Sequence, residues 1–281
     1  MISGRTRVFG LLGHPVRHSL SPAMYNELFR RFGLDALYVA FDVDPARSHT
    51  LGASIRTLDL VGVNLTVPFK ERIVPQLDRL TVAAEEAGSV NVVIQVEGHL
   101  TGYNTDGEGL VRSLVALGGM EFQGLHAIVL GAGGTARAVS SALMDRGASR
   151  VTILNRTLKH GHSAVEALSG RYRHSVLSAD QLSSVAFAHH AQAAGLVVNC
   201  TSAGAESIIE GFDPSVLPST AVWVDANYWM KHPPQLQGCA DLGLRFATGH
   251  GMLAHQGALA FELFTGHPVE AAEIGSILEV A

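Results

Sequence analysis

Two cysteines, Cys200 and Cys239, are all that 281 residues contain, and they lie far apart in the sequence. A disulfide between them is possible but not indicated, and two cysteines fit a reducing cytoplasm better than a secreted scaffold. No excess of positive charge is present either: the net charge is −5 and the pI about 6.3. Nucleic acid demands a basic field, so it is excluded as a partner. No uninterrupted apolar run approaches the ~20 residues of a membrane span, and the opening MISGRTRVFGLLGHP lacks the apolar stretch of a signal peptide. There is no internal repeat and no low-complexity segment. The fourteen histidines form no His-Glu-x-x-His, and no Cys-x-x-Cys is present, so no bound metal is expected and the histidines read as scattered, solvated side chains.

What is present is apolar material for a core, 47% of the chain, and a glycine-rich turn in an uncommon place. His126 to Leu130 reads as a buried strand, and Gly131-Ala132-Gly133-Gly134-Thr135-Ala136 follows at once. Arg137 to Arg146 then reads as a helix. Strand, glycine turn and helix form the phosphate-cradling unit of a dinucleotide fold: glycines let the backbone approach a pyrophosphate, and the helix N-terminus supplies free N–H groups and a positive dipole. The first 125 residues precede this turn, which predicts a separate unit there, holding the substrate.

In that first unit, Arg7–Leu12, Leu37–Val43 and Val61–Val67 read as strands, and Val90–Val96 with His99–Tyr103 as a hairpin around Glu97-Gly98. Met24, Leu28 and Phe32 share a helical face, with Tyr25 and Phe29 beside it; Ser21 reads as the N-cap, Pro22 as the first position and Gly33 as the end. In the second unit, strands at 126–130, 151–154, 196–200 and 221–225 alternate with helical stretches, which predicts a doubly wound parallel sheet. Met252 to Gly266 reads as a late helix.

Candidate chemistry sits at strand ends. An NAD site usually places Asp or Glu about 20 residues past the glycines, for the ribose 2′-OH. Here stand Asn155, Arg156 and Thr157, with Lys159 close by, which favours the 2′-phosphate of NADP; the alternative is a solvated arginine. Ser19 and Ser21 place hydroxyls at a helix start, suited to a carboxylate or simply to capping. Asn64-Leu65-Thr66-Val67-Pro68-Phe69-Lys70 ends a strand in a polar turn. Lys70 suits a general acid/base if partly desolvated, and taken alone reads better as a surface lysine. Asp106, in Asn104-Thr105-Asp106-Gly107, reads on its own as a helix N-cap.

Together these segments closely resemble shikimate dehydrogenase, nearly end to end. The matching runs are Ser19-Leu20-Ser21-Pro22, the Asn64–Lys70 run, Gly88-Ser89-Val90-Asn91, Asn104–Gly107, Gly131–Ala136, Asn155-Arg156-Thr157, Asn199-Cys200-Thr201-Ser202-Ala203-Gly204 and Gly249-His250-Gly251-Met252-Leu253-Ala254-His255-Gln256. The resemblance implies an α/β protein of two domains: a substrate-binding and catalytic domain at 1–106 plus 250–281, to which the C-terminal helices return, and a Rossmann-like NADP-binding domain at 107–249. It implies a catalytic pair, Lys70 and Asp106, with the substrate between the domains. Ser19, Ser21, Asn64, Thr66, Asn91, Tyr228 and Gln256 would bind the carboxylate and ring hydroxyls. Gly131, Ala132, Gly133, Gly134, Thr135, Ala136, Asn155, Arg156, Thr157, Lys159, Thr201, Ala226 and Gly249 would contact NADP. The implied reaction is NADPH-dependent reduction of 3-dehydroshikimate to shikimate, on the route to chorismate and the aromatic amino acids. A homodimer stays open as the assembly.

Three positions depart from the family pattern: Val92 stands where Thr is common, His160 where a basic residue often sits, and Tyr228-Trp229-Met230-Lys231-His232-Pro233-Pro234 replaces Tyr-x-Pro followed by Thr-Pro. They leave room for a relative acting on quinate, with NAD as cofactor. A nucleotide sensor without catalysis is the further alternative, against which the presence of both Lys70 and Asp106 argues; a scaffold is disfavoured by so many polar motifs at strand ends.

Overall fold

The structure, a computed structural model, describes residues 2–172, 175–201, 206–228 and 234–279. The departures at Trp229–Pro233 and the Ser202-Ala203-Gly204 part of the matching run lie outside the described residues. The chain forms two compact units, Met1–Thr105 with Ala254–Ala281, and Asp106–Leu253.

The first unit runs β1 (Arg7–Gly13), α1 (Ser21–Arg31), β2 (Ala36–Asp42), α2 (Leu51–Thr57), β3 (Gly62–Leu65), β4 (Arg79–Leu80), α3 (Val82–Ala87), β5 (Val92–Val96) and β6 (His99–Tyr103). Its sheet has the order β2-β1-β3-β5-β6-β4. β1 pairs in parallel with β2 and β3, while β5 is antiparallel to both β3 and β6. The carboxyl ends of β1 and β3 and the amino end of β5 therefore share one sheet edge. The predicted hairpin is present in the register Val96↔His99, with Glu97 and Gly98 both in the left-handed region that such a two-residue turn needs.

Helix α1 buries Met24, Tyr25, Leu28 and Phe29 of the expected face, while Phe32 lies beyond its last residue as the C-cap and is partly buried. Its cap differs from the expectation. Ser21 is the first helical residue, not the N-cap, and the cap position, Leu20, makes no side-chain capping bond. Ser19 supplies the hydroxyl instead: its Oγ accepts from the Ser21 N–H at 3.3 Å. Asn26 then ties α1 to β2, donating to the Tyr38 carbonyl and accepting from the Tyr38 N–H, both at 2.9 Å.

The second unit runs α4 (Asp106–Ala116), β7 (His126–Leu130), α5 (Gly134–Asp145), β8 (Arg150–Asn155), α6 (Leu158–Ser169), β9 (Val176–Gln181), α7 (Ser184–Ala191), β10 (Leu196–Asn199), α8 (Glu206–Ile209), β11 (Val222–Asp225), α9 (Pro234–Asp241) and β12 (Arg245–Ala247). Its sheet has the order β12-β11-β10-β7-β8-β9, and every adjacent pair is parallel. Read outward from β7, this is the doubly wound dinucleotide-binding order, whose ligand crevice lies outside the carboxyl ends where the strand order reverses. Here that point falls between β7 and β10. Buried Val, Ile and Leu fill β7, β8, β10 and β11, as strands covered on both faces require. Trp223 of β11 lies 5.6 Å from Phe187, which stacks on Phe212 at 4.6 Å.

Helix α10 (Gly249–Thr265) begins in the second unit and from Ala254 belongs to the first, followed by α11 (Ala271–Leu278). The C-terminal helices thus return to the first unit. Phe261, Phe264, Ile274 and Ile277 share a buried cluster with Phe9, Tyr25 and Phe29, and the Phe264 ring lies 5.2 Å from that of Phe9. No helix among the described residues is long and apolar enough to cross a membrane.

Candidate functional site

In the first unit the polar candidates collect along the sheet edge made by β1, β3 and β5. Asn64, second from the end of β3, is buried, at 6% exposure. Its Oδ1 accepts from the Tyr38 hydroxyl at 2.7 Å, and its Nδ2 donates to the Asn91 carbonyl at 3.2 Å. Both ends of the amide are therefore oriented by the fold. Tyr38 stacks on Tyr25 with ring centroids 4.5 Å apart. Burial pushes the Tyr25 hydroxyl well above the usual tyrosine range, against a smaller opposing effect from Asn64, so this hydroxyl stays protonated.

Tyr38→Phe strips Asn64 Oδ1 of that donor inside the core. Leaving a buried acceptor unsatisfied costs about 1–3 kcal/mol, so a fall in Tm of about 2–8 °C is expected in a scanning denaturation. An unchanged Tm would show that the amide is held without Tyr38.

Asn91, just before β5, forms a second cluster. Its Nδ2 donates to Thr105 Oγ1 at 2.9 Å, and its Oδ1 accepts from the Thr105 N–H at 2.9 Å. Gln256 of α10 joins it: its Oε1 lies 3.4 Å from both Asn91 Nδ2 and Thr105 Oγ1. Three segments distant in the sequence thus meet at one point. Thr66 follows β3, its N–H donating to the Leu12 carbonyl at 3.0 Å. Lys70 is half-buried, and its carbonyl accepts from the Val90 N–H at 2.8 Å. Ser19 and Ser21 pair with each other at the start of α1.

In the second unit Asp106 opens α4 as its first residue and is buried, at 4% exposure. Thr135 Oγ1 donates to Asp106 Oδ2 at 3.1 Å. The glycine turn is shorter than its sequence suggests, because α5 already begins at Gly134. Gly131 has φ +102°, and an added Cβ would lie 3.0 Å from the Cys200 carbonyl oxygen. Gly133 is exposed and extended, and nothing within 4 Å would meet a Cβ there. An open turn with amides at a helix N-terminus fits a pyrophosphate. At the end of β8, Arg156 and Thr157 are exposed and so is Lys159, and no carboxylate stands among residues 155–159. Asn155 Nδ2 donates to the Thr157 carbonyl at 2.8 Å, and Gln181 Nε2 to the Arg156 carbonyl at 2.7 Å, so the backbone that presents these cations is fixed.

A third polar set closes the ends of β10 and β11. Asn199 Nδ2 donates to Asp225 Oδ2 at 2.9 Å; the Thr201 hydroxyl donates to Asn199 Oδ1 at 2.7 Å; Asn227 Nδ2 donates to the Thr201 carbonyl at 3.1 Å. Burial raises the Asp225 carboxyl above the usual aspartate range, while the donors Asn199 and Asn227 pull it back. Ala226 donates its N–H to the Asn199 carbonyl at 2.9 Å, Gly249 lies against the Ala226 backbone, and the Tyr228 ring meets that of His250 at 6.3 Å.

Tyr38, Asp225 and Asn227 escape the sequence reading, because they act through partners elsewhere in the chain. Thr105 and Asn199 stand in runs that the sequence shows, but their bonds do not. Among the described residues no group of three or more His, Cys, Asp or Glu is placed to hold a metal ion.

Residues 11–93 match the shikimate dehydrogenase substrate binding domain, residues 114–213 the shikimate/quinate 5-dehydrogenase family, and residues 249–274 the shikimate 5′-dehydrogenase C-terminal domain. A shikimate dehydrogenase (NADP(+)) of Geobacter sp. (strain M21) is 42% identical over 266 residues, covering 94% of this chain and 92% of its own length. A solved shikimate 5-dehydrogenase from Thermus thermophilus, in complex with shikimate, superposes with a TM-score of 0.84 at 36% identity and covers 98% of each chain. A shikimate dehydrogenase in complex with NADP+ superposes with a TM-score of 0.87 at 29% identity, covering 100% of this chain and 97% of its own.

Proposed function

The chain belongs to the shikimate dehydrogenase family, and we propose that it catalyses the reversible, NADPH-dependent reduction of 3-dehydroshikimate to shikimate, the step that leads toward chorismate and the aromatic amino acids. The observation that carries this reading is the convergence of Asn91, Thr105 and Gln256 beside the oriented amide of Asn64. Such a row of neutral donors and acceptors suits the several hydroxyls of a small polyhydroxylated ring.

In this reading residues 1–106 with 250–281 form the substrate and catalytic domain, and residues 107–249 hold NADP. Gly131 to Ala136 receive the pyrophosphate at the start of α5. Asn155, Arg156, Thr157 and Lys159 receive the 2′-phosphate, where exposed cations and the lack of a carboxylate suit a dianion. Thr201, Ala226 and Gly249 line the remainder of the cofactor path, and bound NADPH supplies the hydride. Ser19 and Ser21 hold the substrate carboxylate; Asn64, Thr66, Asn91, Tyr228 and Gln256 hold the ring.

Lys70, as an ammonium, gives its proton to the ketone oxygen as that oxygen becomes an alkoxide, and takes it back in the oxidative direction. Asp106 orients the lysine and accepts a hydrogen bond from the neighbouring hydroxyl. A cytoplasmic location and a homodimeric assembly belong to the same proposal; the two free thiols support the first.

The test is reduced-nicotinamide absorbance with shikimate or quinate, each offered with NADP+ or NAD+. Rapid turnover with shikimate and NADP+ alone is the expected result. Turnover favouring quinate or NAD+ would overturn it and point to the departures near Tyr228 and at His160. No turnover in any arm, with NADP+ still bound, would make the chain a nucleotide sensor.

A further inference from the structure

Three consecutive residues at the start of α4 each address a different place on α5. Asp106 accepts from the Thr135 hydroxyl at 3.1 Å. Gly107 lies against the helix itself: a Cβ there would strike the Ala138 carbonyl oxygen and stand 2.9 Å from the Ala142 Cβ. Glu108 binds Arg146, just past the far end of α5, with Oε2 2.8 Å from Nη2. The absence of a side chain at 107 lets the two helices close up, and the polar bonds on either side set their register. The carboxylate of Asp106 is therefore placed by α5 as well as by its own helix.

Thr135 is the second residue of α5, directly after the glycine turn. A threonine hydroxyl at a helix start ordinarily serves the local backbone or solvent. Here it crosses to a carboxylate that is 4% exposed, and a buried carboxylate depends on such donors. We propose that Thr135 is a positioning residue of Asp106: its backbone belongs to the helix start beside the cofactor turn, and its side chain bonds the carboxylate that acts on the substrate. The residue thereby makes the order of the cofactor turn a condition for the geometry of Asp106. The inference rests on the reading of Asp106 as catalytic. A misplacement of reacting groups by about 1 Å can cost 10²-fold in rate, so a single orienting bond suffices to matter.

The variants that test this are Thr135→Val, which keeps the shape and loses the hydroxyl, and Thr135→Ser, which keeps the hydroxyl. Shikimate oxidation with NADP+ gives kcat and KM, and titration calorimetry gives NADP+ affinity without turnover. Thr135→Val is expected to lower kcat by about 10- to 100-fold, the range for a lost hydrogen bond to a charged group, and to change NADP+ affinity by a much smaller factor. Thr135→Ser should restore most of kcat. In an Asp106→Asn background, Thr135→Val should add little further loss, because the two residues act as one unit.

Wild-type kcat in Thr135→Val would overturn the inference. So would equal impairment of the Val and Ser variants, a loss of NADP+ affinity matching the loss of kcat, or full additivity with Asp106→Asn. If Thr135→Val does not fold, Thr135→Ala carries the same comparison with Ser. Failure of the wild type to turn over shikimate would sink the functional reading, and the inference with it; wild-type turnover beside an indifferent Thr135 would sink the inference alone.

Discussion

Lys70→Ala is expected to turn over shikimate about 10²–10⁴-fold more slowly than the wild type, with NADP+ binding unchanged. That range corresponds to about 2.7–5.5 kcal/mol of lost transition-state stabilisation. Lys70 follows the polar turn that ends β3, half-buried, with its carbonyl committed to the Val90 N–H. The backbone at 70 is thus held to the same sheet edge as Asn64, Thr66 and Asn91, so an alanine there removes the ammonium and leaves the turn in place. The cofactor candidates at 131–136 and 155–159 belong to the other unit, which is why binding should survive. Lys70→Arg separates two roles for the charge. A guanidinium keeps the positive charge and does not deprotonate in proteins. If Lys70 passes a proton, the Arg variant should be nearly as slow as the Ala variant; if it only stabilises an alkoxide, much of the rate should return. Near-wild-type turnover in Lys70→Ala would remove the residue from the mechanism.

What the sequence discloses and what it withholds divide along a physical line. The glycine turn, the hairpin at Glu97-Gly98 and the apolar strands β7, β8, β10 and β11 are legible because their signals are local: glycine between a strand and a helix, or runs of Val, Ile and Leu covered on both faces. β9 has no such run. Its Val-Leu-Ser-Ala-Asp-Gln is half polar because it stands at the sheet edge. β4 and β12, of two and three residues, are too short to show a period. Ser21 reads as the cap because it stands just ahead of Pro22 at the start of the apolar stripe, and only the geometry shows that Ser19 offers the oxygen. The candidate site shows the same division. Asn64, Asn91 and Gln256 are polar residues in recognisable runs, but Tyr38, which orients Asn64 across 26 positions of chain, looks like any core tyrosine. Nor does periodicity contain the strand order that brings β10 beside β7 and puts Cys200 and Thr201 against Gly131.

That last contact makes two glycines of one turn behave differently. At Gly131 the backbone sits at φ +102°, a conformation that costs an L-residue about 1–3 kcal/mol. An added Cβ would also lie 3.0 Å from the Cys200 carbonyl oxygen and 3.3 Å from the Thr201 nitrogen. Neither side yields easily, since the Gly131 N–H is bonded to the Leu154 carbonyl and the Cys200 N–H to the Leu130 carbonyl. Gly131→Ala should therefore lower Tm by several degrees and displace the turn, weakening NADP+ about tenfold or more. Gly133 has an ordinary extended backbone, φ −75° and ψ −178°, and open space where a Cβ would project. Gly133→Ala should leave Tm unchanged. It should still weaken NADP+, because the methyl takes the room through which a pyrophosphate approaches the backbone. Calorimetry of both variants beside a thermal scan separates a glycine needed by the fold from one needed by the ligand. Wild-type affinity in Gly133→Ala would take the exposed face of the turn out of the cofactor site. Wild-type Tm and affinity in Gly131→Ala would mean that the ends of β7 and β10 can move apart without cost, and the crevice at the switch point would then owe its shape to something other than this close approach.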